Sequence, residues 1–172
     1  MPYYFLDYDE ETGEERDIRA SDYRELIDLC FRYSAFFSLS RGWAETDMSK
    51  LPVRAAAHLP ECRTLTTKKD LFVFACTAET KAFLLSCADS VFSWANWGES
   101  RNMPEDLCFY RRDGSVFFWS ESHEGVCVLA NRPGEVLSDL PSKENWRYFD
   151  LSEASGNIWI PDGLADYRLP IL

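Results

Sequence analysis

The segment 107–120, LCFYRRDGSVFFWS, restricts the fold more than any other part of the chain, because two apolar runs flank an Asp-Gly pair. Asp113 and Gly114 predict a two-residue hairpin turn of type I′, in which both residues adopt positive φ. Such a turn also determines which residues face each other across the hairpin: Cys108 with Trp119, Phe109 with Phe118, and Tyr110 with Phe117. The sequence therefore predicts two antiparallel strands together with their register.

Both faces of this hairpin are apolar below its tip, whereas a hairpin at the surface has one polar face. We therefore expect either a central hairpin that is covered on both sides or one exposed aromatic face. One face holds side chains without a polar group and is typical of core: Leu107, Phe109, Val116 and Phe118. On the other face, Tyr110 and Trp119 each combine an apolar ring with a polar atom, which suits a contact surface. These two residues are candidate partner contacts.

Apolar residues at intervals of three and four predict helices over about residues 21–33 and 78–88. Ser21 and Thr77 are the expected N-caps, since a side-chain hydroxyl can accept a hydrogen bond from the first helical turn. Short apolar or alternating runs predict strands at 2–8, 35–40, 71–76, 126–130, 148–151 and 157–160. We expect residues 1–172 to form a single α+β domain, with a mainly antiparallel sheet, a central hairpin and two packed helices.

The acidic residues are concentrated at the two ends of the chain. The net charge is −11, of which residues 1–28 contribute −7 and residues 135–172 contribute −4. If the two ends meet, they form one negative face, which repels the phosphates of nucleic acids and attracts basic proteins. Alternatively, the acidity only keeps the protein in solution. The sequence thus argues against nucleic acid as a partner.

Six cysteines are spread singly along the chain, with no Cys-x-x-Cys pair. The N-terminal sequence MPYYFLDYDEETGEE lacks the basic and apolar regions of a secretory signal. No stretch approaches 18 consecutive apolar residues, so the sequence predicts no membrane-spanning segment and no contact with a membrane. We therefore expect a cytoplasmic protein whose cysteines are reduced and mostly buried.

A candidate ligand site centres on His123, in the segment SESHEG. Glu121 and Glu124 lie beside it in sequence, and a histidine near carboxylates can act as a general base. The more common interpretation of this pattern is a loop histidine that local hydrogen bonds hold in place. The nearby pair Glu105-Asp106 is interpreted as loop surface before a strand, because adjacent strand residues point to opposite faces and would not cooperate.

Signals for metals and cofactors are weak. His58 and Cys62 stand four residues apart, and Pro52 could begin a short helix over residues 53–59, but Pro60 interrupts the spacing between the two ligands. Two such residues do not make a zinc site. The glycine-rich phosphate loops and the catalytic signatures of common enzyme families are missing from the sequence. We therefore expect no metal, no cofactor and no catalytic residue.

The interpretation that fits these features is a non-enzymatic, cytoplasmic protein-binding domain whose partner is a basic protein. In size, acidity and aromatic content the chain resembles the immunity proteins that neutralise bacterial toxins, although it has no family motif from which residues could be transferred. Acids would speed the encounter and aromatics would anchor the contact. The candidate contacts are Asp9, Glu10, Glu11, Glu14, Glu15, Tyr110 and Trp119. The alternative is a small enzyme or ligand-binding domain with a site at Glu121, His123 and Glu124.

Overall fold

Within the described residues, eight antiparallel strands form one sheet, and two helices pack against it. The computed structural model describes residues 2–6, 16–41, 46–63, 67–94, 103–150, 161, 163 and 164. The strands are β1 (Pro2–Leu6), β2 (Phe36–Arg41), β3 (Ala57–Arg63), β4 (Lys68–Ala75), β5 (Glu105–Tyr110), β6 (Val116–Glu121), β7 (Val126–Ala130) and β8 (Trp146–Asp150), and the helices are α1 (Ala20–Tyr33) and α2 (Ala78–Cys87). This arrangement confirms the predicted α+β class.

The order of strands across the sheet is β3-β4-β2-β5-β6-β7-β1-β8, and each neighbouring pair is antiparallel. Both predicted helices are present within one residue of their expected ends. No helix of the described residues is long and apolar enough to cross a membrane.

The predicted hairpin is formed by β5 and β6, which are the fourth and fifth strands of the sheet. Cys108 pairs with Trp119 and Phe109 pairs with Phe118, as the predicted register requires. Both strands are buried along their whole length. The hairpin is therefore central and covered on both faces, which explains why neither face carries the polar pattern of a surface strand.

The turn at the tip of the hairpin is not the predicted type I′ turn. Gly114 N donates to Arg111 O at 2.9 Å and Arg111 N donates to Ser115 O at 2.8 Å, which closes a three-residue loop. In this loop only Gly114 has positive φ, at 81°. Asp113 accepts hydrogen bonds on Oδ1 from the backbone N and the Oγ of Ser115. This geometry is that of a type I turn followed by a bulge at a left-handed glycine.

The bulge changes the pairing next to the turn. The three-residue loop pairs Tyr110 with Val116 and not with Phe117, and the register then shifts between Phe109 and Tyr110, so that Phe117 is an extra residue of β6. The side chains of Val116 and Phe117 consequently lie on the opposite faces from those predicted. Phe117 packs on the side of the helices, and Val116 packs on the other side.

The larger core lies between one face of the sheet and the two helices. Its helical members come mainly from one side of α1 and from the middle of α2: Tyr23, Leu26, Ile27, Cys30, Phe83 and Leu84. The sheet contributes a row of stacked and tilted rings, among them Phe37 and Phe74, whose centroids are 5.1 Å apart. Ring contacts of this kind add to the free energy gained by burying the apolar surface.

The two helices begin differently. Thr77 caps α2 as predicted, and its Oγ1 accepts a hydrogen bond from Thr80 N at 3.2 Å. Ser21 is not the cap of α1, because this helix already begins at Ala20 and follows Arg19, which provides no side-chain cap. The Ser21 hydroxyl is instead directed to the Asp22 carboxylate, 3.3 Å away.

The opposite face of the sheet carries a second core without helical residues. It includes Tyr3, Val73, Cys108, Tyr110, Trp119, Val128 and Leu164. Leu164 is 2% exposed, and its backbone N donates to Gly114 O at 2.7 Å. A Cβ on Gly163 would lie 2.7 Å from the same carbonyl oxygen. The chain at Gly163 and Leu164 therefore lies against the hairpin tip and covers part of this face.

Residues 53–59 do not form the predicted helix. A 3-10 turn at Met48–Lys50 is followed by irregular chain, and β3 then begins at Ala57. Pro60 is tolerated in β3 because this strand lies at the edge of the described sheet and its register with β4 shifts between Leu59 and Cys62. The strand predicted at 157–160 lies outside the described residues.

Candidate functional site

A cluster of four ionisable side chains lies where β4 and β5 meet the turn after β6. Lys69 Nζ is 2.9 Å from Glu105 Oε2 and 2.6 Å from Asp106 Oδ2. His123 Nε2 is 2.9 Å from Glu105 Oε1. Glu105 is 1% exposed and Asp106 is 7% exposed. We call these four residues, Lys69, Glu105, Asp106 and His123, the charge cluster.

The two adjacent carboxylates reach the same ammonium group because the backbone is irregular at this point. Asp106 has a φ of 50°, and the pairing of β2 with β5 shifts its register between Ser38 and Ser40. A regular strand would direct Glu105 and Asp106 to opposite faces. The interpretation of this pair as loop surface is therefore wrong, since both residues belong to β5 and both are buried.

Neutral hydrogen-bond donors complete the surroundings of Asp106. Ser40 Oγ donates to Asp106 Oδ2 at 3.0 Å, and Ser122 N donates to Asp106 Oδ1 at 2.8 Å. Ser120 Oγ accepts from Leu107 N at 3.0 Å. Buried charges persist when they are paired and hydrogen-bonded in this way. The cluster thus connects β2, β4, β5 and the turn after β6.

Two opposing effects act on the pKa of Glu105 and of Lys69: burial favours the neutral form of each group, and pairing with an opposite charge favours the charged form. Burial alone favours the neutral acid at Glu105, but hydrogen bonds and charge from Lys69 and His123 hold its pKa below the usual value. Burial likewise disfavours the ammonium form of Lys69, but the carboxylates of Asp106 and Glu105 raise its pKa above the usual value. Both pairing effects exceed the desolvation effect, so the carboxylate and the ammonium remain charged together at neutral pH.

His123 lies in a 3-10 turn, Ser122–Glu124, which ends at the left-handed Gly125. Its side chain is 27% exposed. Sequence reasoning placed it between Glu121 and Glu124, but the structure brings it to Glu105, which is 18 positions away in the chain. Glu124 is exposed and Glu121 is buried. Whether these three residues serve a ligand stays a prediction.

A small cavity of about 30 Å³ lies on the second face of the sheet, next to the charge cluster. Asp106, Glu121, Tyr110 and Trp119 are among its lining residues. A space of this size holds about one water molecule. Tyr110 OH is 3.0 Å from Ser38 Oγ, and the Trp119 ring packs edge-on against Tyr3. Tyr110 and Trp119 are 1% and 2% exposed, so the expected contact face is covered where these two residues lie.

The acidic candidate contacts Asp9, Glu10, Glu11, Glu14 and Glu15 lie outside the described residues. The chain on either side of them is described. β1 pairs with β8, so that Leu6 lies opposite Trp146 and Pro2 lies opposite Asp150. The first and last strands of the described chain are therefore neighbours at one edge of the sheet, where sequence reasoning left their relative position open.

The charge cluster can orient an imidazole for proton transfer, because a carboxylate that binds one ring nitrogen fixes the tautomer. It can equally act as a structural ion network.

His58 and Cys62, the weak metal candidates, lie on β3. In the part of the chain that the structure describes, no three His, Cys, Asp or Glu residues are grouped so as to hold a metal ion. Comparisons of the chain with protein-family models, curated proteins and solved structures find no match.

Proposed function

We propose that the protein is a non-enzymatic binding protein whose partner is a basic protein, with an inhibitor or immunity role. The location of the negative charge is the main support. Residues 7–15 contain six carboxylates and no basic side chain. The described residues are nearly balanced, with 18 acidic and 16 basic side chains. A surface that serves only solubility mixes both signs, whereas a local excess of one sign attracts a partner of opposite sign.

The residues on either side of this acidic segment are held close together, which supports the proposal of a local negative surface. The segment begins after Leu6, which pairs with Trp146. It ends before Arg16, whose guanidinium donates to Asn145 Oδ1. Both ends of the segment are thus held beside residues 145–146. Glu144, which is exposed and belongs to the same turn, adds a carboxylate there.

An exposed aromatic residue lies close to these anchors. Tyr148 on β8 is 57% exposed, and its ring contacts Tyr4 on β1 at a centroid distance of 5.6 Å. Aromatic residues with one free face are enriched among the residues that dominate binding energy at interfaces. Sequence reasoning chose Tyr110 and Trp119 as anchors, but both are buried. We therefore propose Tyr148 as the aromatic anchor, on the strand that pairs with β1.

The test is a pull-down from native host lysate at low salt, with elution by a salt step. The wild type is compared with the double variant Glu11→Lys/Glu14→Lys and with a control of equal charge change, Glu61→Lys/Glu79→Lys. Both control residues are exposed, and they lie on β3, at the opposite edge of the sheet from β8, and on α2. We expect one basic protein to bind the wild type and the control but not the double variant.

The captured protein is then purified, and its association rate with the wild type is measured at two salt concentrations. A rate that falls by tenfold or more between about 20 mM and about 300 mM salt is expected for steering between opposite charges. A rate independent of salt, or equal loss of binding in both charge variants, contradicts the proposal. Tyr148→Ala is expected to speed dissociation with little effect on association.

The second candidate is a small enzyme site at His123, which the contact with buried Glu105 favours. A partly exposed imidazole oriented by a carboxylate can attack an activated ester. Hydrolysis of p-nitrophenyl acetate by the wild type is compared with hydrolysis by His123→Gln and by His58→Gln. His58, the other histidine of the chain, is exposed and its Nε2 lies 3.2 Å from Asp70 Oδ2, so it is the control for a carboxylate-paired imidazole at the open surface. Equal rates in all three proteins contradict this candidate.

A further inference from the structure

A surface groove lies between the irregular chain 48–55 and β4. Its volume is about 480 Å³, which is within the range of small-molecule sites, roughly 300–1,000 Å³. Six of its lining residues are apolar: Met48, Leu51, Pro52, Val53, Ala55 and Phe72. A predominantly apolar lining with few polar groups is typical of ligand sites.

The walls of the groove are held by contacts on both sides. Asp47 accepts hydrogen bonds from the N and Oγ of Ser49, at 3.1 and 2.6 Å, and so fixes the 3-10 turn at one end. At the other end, Ala56 N donates to Val73 O at 2.7 Å. The Phe72 ring stacks on His58 with a centroid distance of 4.5 Å. The groove is therefore formed before any ligand enters, which reduces the ordering cost of binding.

One cation lines the groove and has no partner among the described residues. Arg54 is exposed and makes no hydrogen bond or ion pair with the described part of the chain. Lys50, the other nearby cation, is paired with Asp47 at 3.5 Å. Arg32, Arg41, Arg111 and Arg132 are each paired with a carboxylate. The Arg54 guanidinium is thus available for an anion, and its geometry matches a carboxylate.

We propose that this groove binds a small amphipathic carboxylate, with its apolar part against Phe72 and Val53 and its carboxylate on Arg54. Val53 is 7% exposed and forms the floor, whereas Phe72 is half-buried. The single positive charge at an apolar surface selects a ligand with one negative charge and an apolar body. This site is separate from the β1–β8 edge, because β3 and β4 lie at the other edge of the sheet.

The experiment is a titration of isotope-labelled protein with octanoate, followed by two-dimensional NMR. We expect saturable shifts confined to residues 48–56 and to the neighbourhood of Phe72. Arg54→Gln is expected to weaken octanoate binding about tenfold, the factor that corresponds to one charge-assisted hydrogen bond. Arg24→Gln is the matched control, because Arg24 is an exposed arginine of α1 without a partner among the described residues. It is expected to leave binding unchanged.

A second probe, 1-octanol, has the same chain without the charge and is expected to bind about tenfold more weakly than octanoate. Equal affinity for octanol and octanoate, or equal affinity of Arg54→Gln and wild type, overturns the proposed role of Arg54. A failure of octanoate to give saturable shifts at millimolar concentration overturns the site itself. Neither result bears on binding of a basic protein, which the pull-down tests separately.

Discussion

The side chain of Arg111 connects three parts of the fold at a single buried guanidinium. It is 6% exposed, donates to the carbonyl oxygens of Val116 and Ala130, and forms a two-point ion pair with Glu135 at 2.5 and 2.7 Å. The hairpin, β7 and the loop after β7 therefore depend on one another through this residue. Bonds to a shielded charge contribute far more than those at an open surface.

We expect Glu135→Ala to lower the free energy of unfolding by about 3–5 kcal/mol, because it leaves a buried guanidinium without its countercharge. The matched control is Asp139→Ala, which breaks an ion pair with Arg32 whose side chains are 48% and 56% exposed. That loss is expected to be below about 1 kcal/mol. Urea denaturation measures both. Similar losses in the two variants would show that burial does not strengthen the Arg111 pair.

The charge cluster makes stability depend on pH. The ordinary pKa of Glu105 is 4.5, and pairing with Lys69 and His123 holds the folded value lower despite burial. A carboxyl of this kind stabilises the fold fully above its unfolded pKa, and the stabilisation is lost as the pH falls through the folded pKa. We expect the free energy of unfolding to fall less steeply from about pH 5 to about pH 3 in Glu105→Gln than in the wild type.

The control for this pH dependence is Glu25→Gln, which changes an exposed residue of α1. It is expected to keep the slope of the wild type, and unfolding curves at each pH provide the comparison. Identical slopes for Glu105→Gln and wild type would mean that the Glu105 carboxyl has the same pKa in the folded and unfolded chain. That result would contradict the proposed pairing with Lys69.

At the scale of the element, the hairpin shows how a turn alters the faces of a sheet. The three-residue loop that ends at Gly114 pairs Tyr110 with Val116 and moves Val116 to the face opposite that of a two-residue turn. Phe117 is an extra residue of β6 and lies on the same side as Phe118, so the predicted register is restored and Phe118 and Trp119 keep their predicted faces. One residue at the tip therefore decides what packs on the helices close to the turn.

Gly114→Ala is expected to destabilise the protein by about 1–2 kcal/mol, because a residue with a Cβ is strained at a φ of 81°. Gly114→Asn is the matched comparison and should cost less, since asparagine adopts the left-handed region more readily. Thermal unfolding of the two variants and of the wild type measures their order of stability. If alanine were tolerated better than asparagine, the turn would not require a left-handed residue at this position.

At the scale of the whole molecule, the sheet has a core on each face, and the two cores are covered by different means. Helices α1 and α2 cover one face. On the other face, Leu164 joins residues from β1, β4, β5, β6 and β7 although it lies far from them in the chain. Part of the second face is therefore covered by chain that follows the sheet.

We expect Leu164→Ala to lower the free energy of unfolding by about 2–4 kcal/mol, because it removes a side chain that is 2% exposed and leaves a cavity over the second face. Val136→Ala, at an apolar residue that is 57% exposed, is the control and should change stability by less than about 0.5 kcal/mol. Chemical denaturation measures both. An equally small effect at Leu164 would mean that this residue does not contribute to the second core.

Features that depend on local periodicity and turn chemistry could be predicted from the sequence alone. These are the α+β class, both helices, the Thr77 cap, and the central hairpin with two of its pairs, because each is specified by residues within one segment. The location of the negative charge is likewise a property of the sequence. The interpretation of function as binding of a basic partner rests on that charge and is tested by the proposed pull-down.

Features that join distant segments could not be predicted from the sequence and became evident in the folded chain. Lys69 meets Glu105 from 36 positions away, and the positive φ at Asp106 that brings the two carboxylates together has no signal in a local pattern. The cover over Tyr110 and Trp119 likewise depends on chain near Leu164. The physical reason is that side-chain periodicity reports which face is apolar, whereas burial and pairing depend on what long-range packing places against that face.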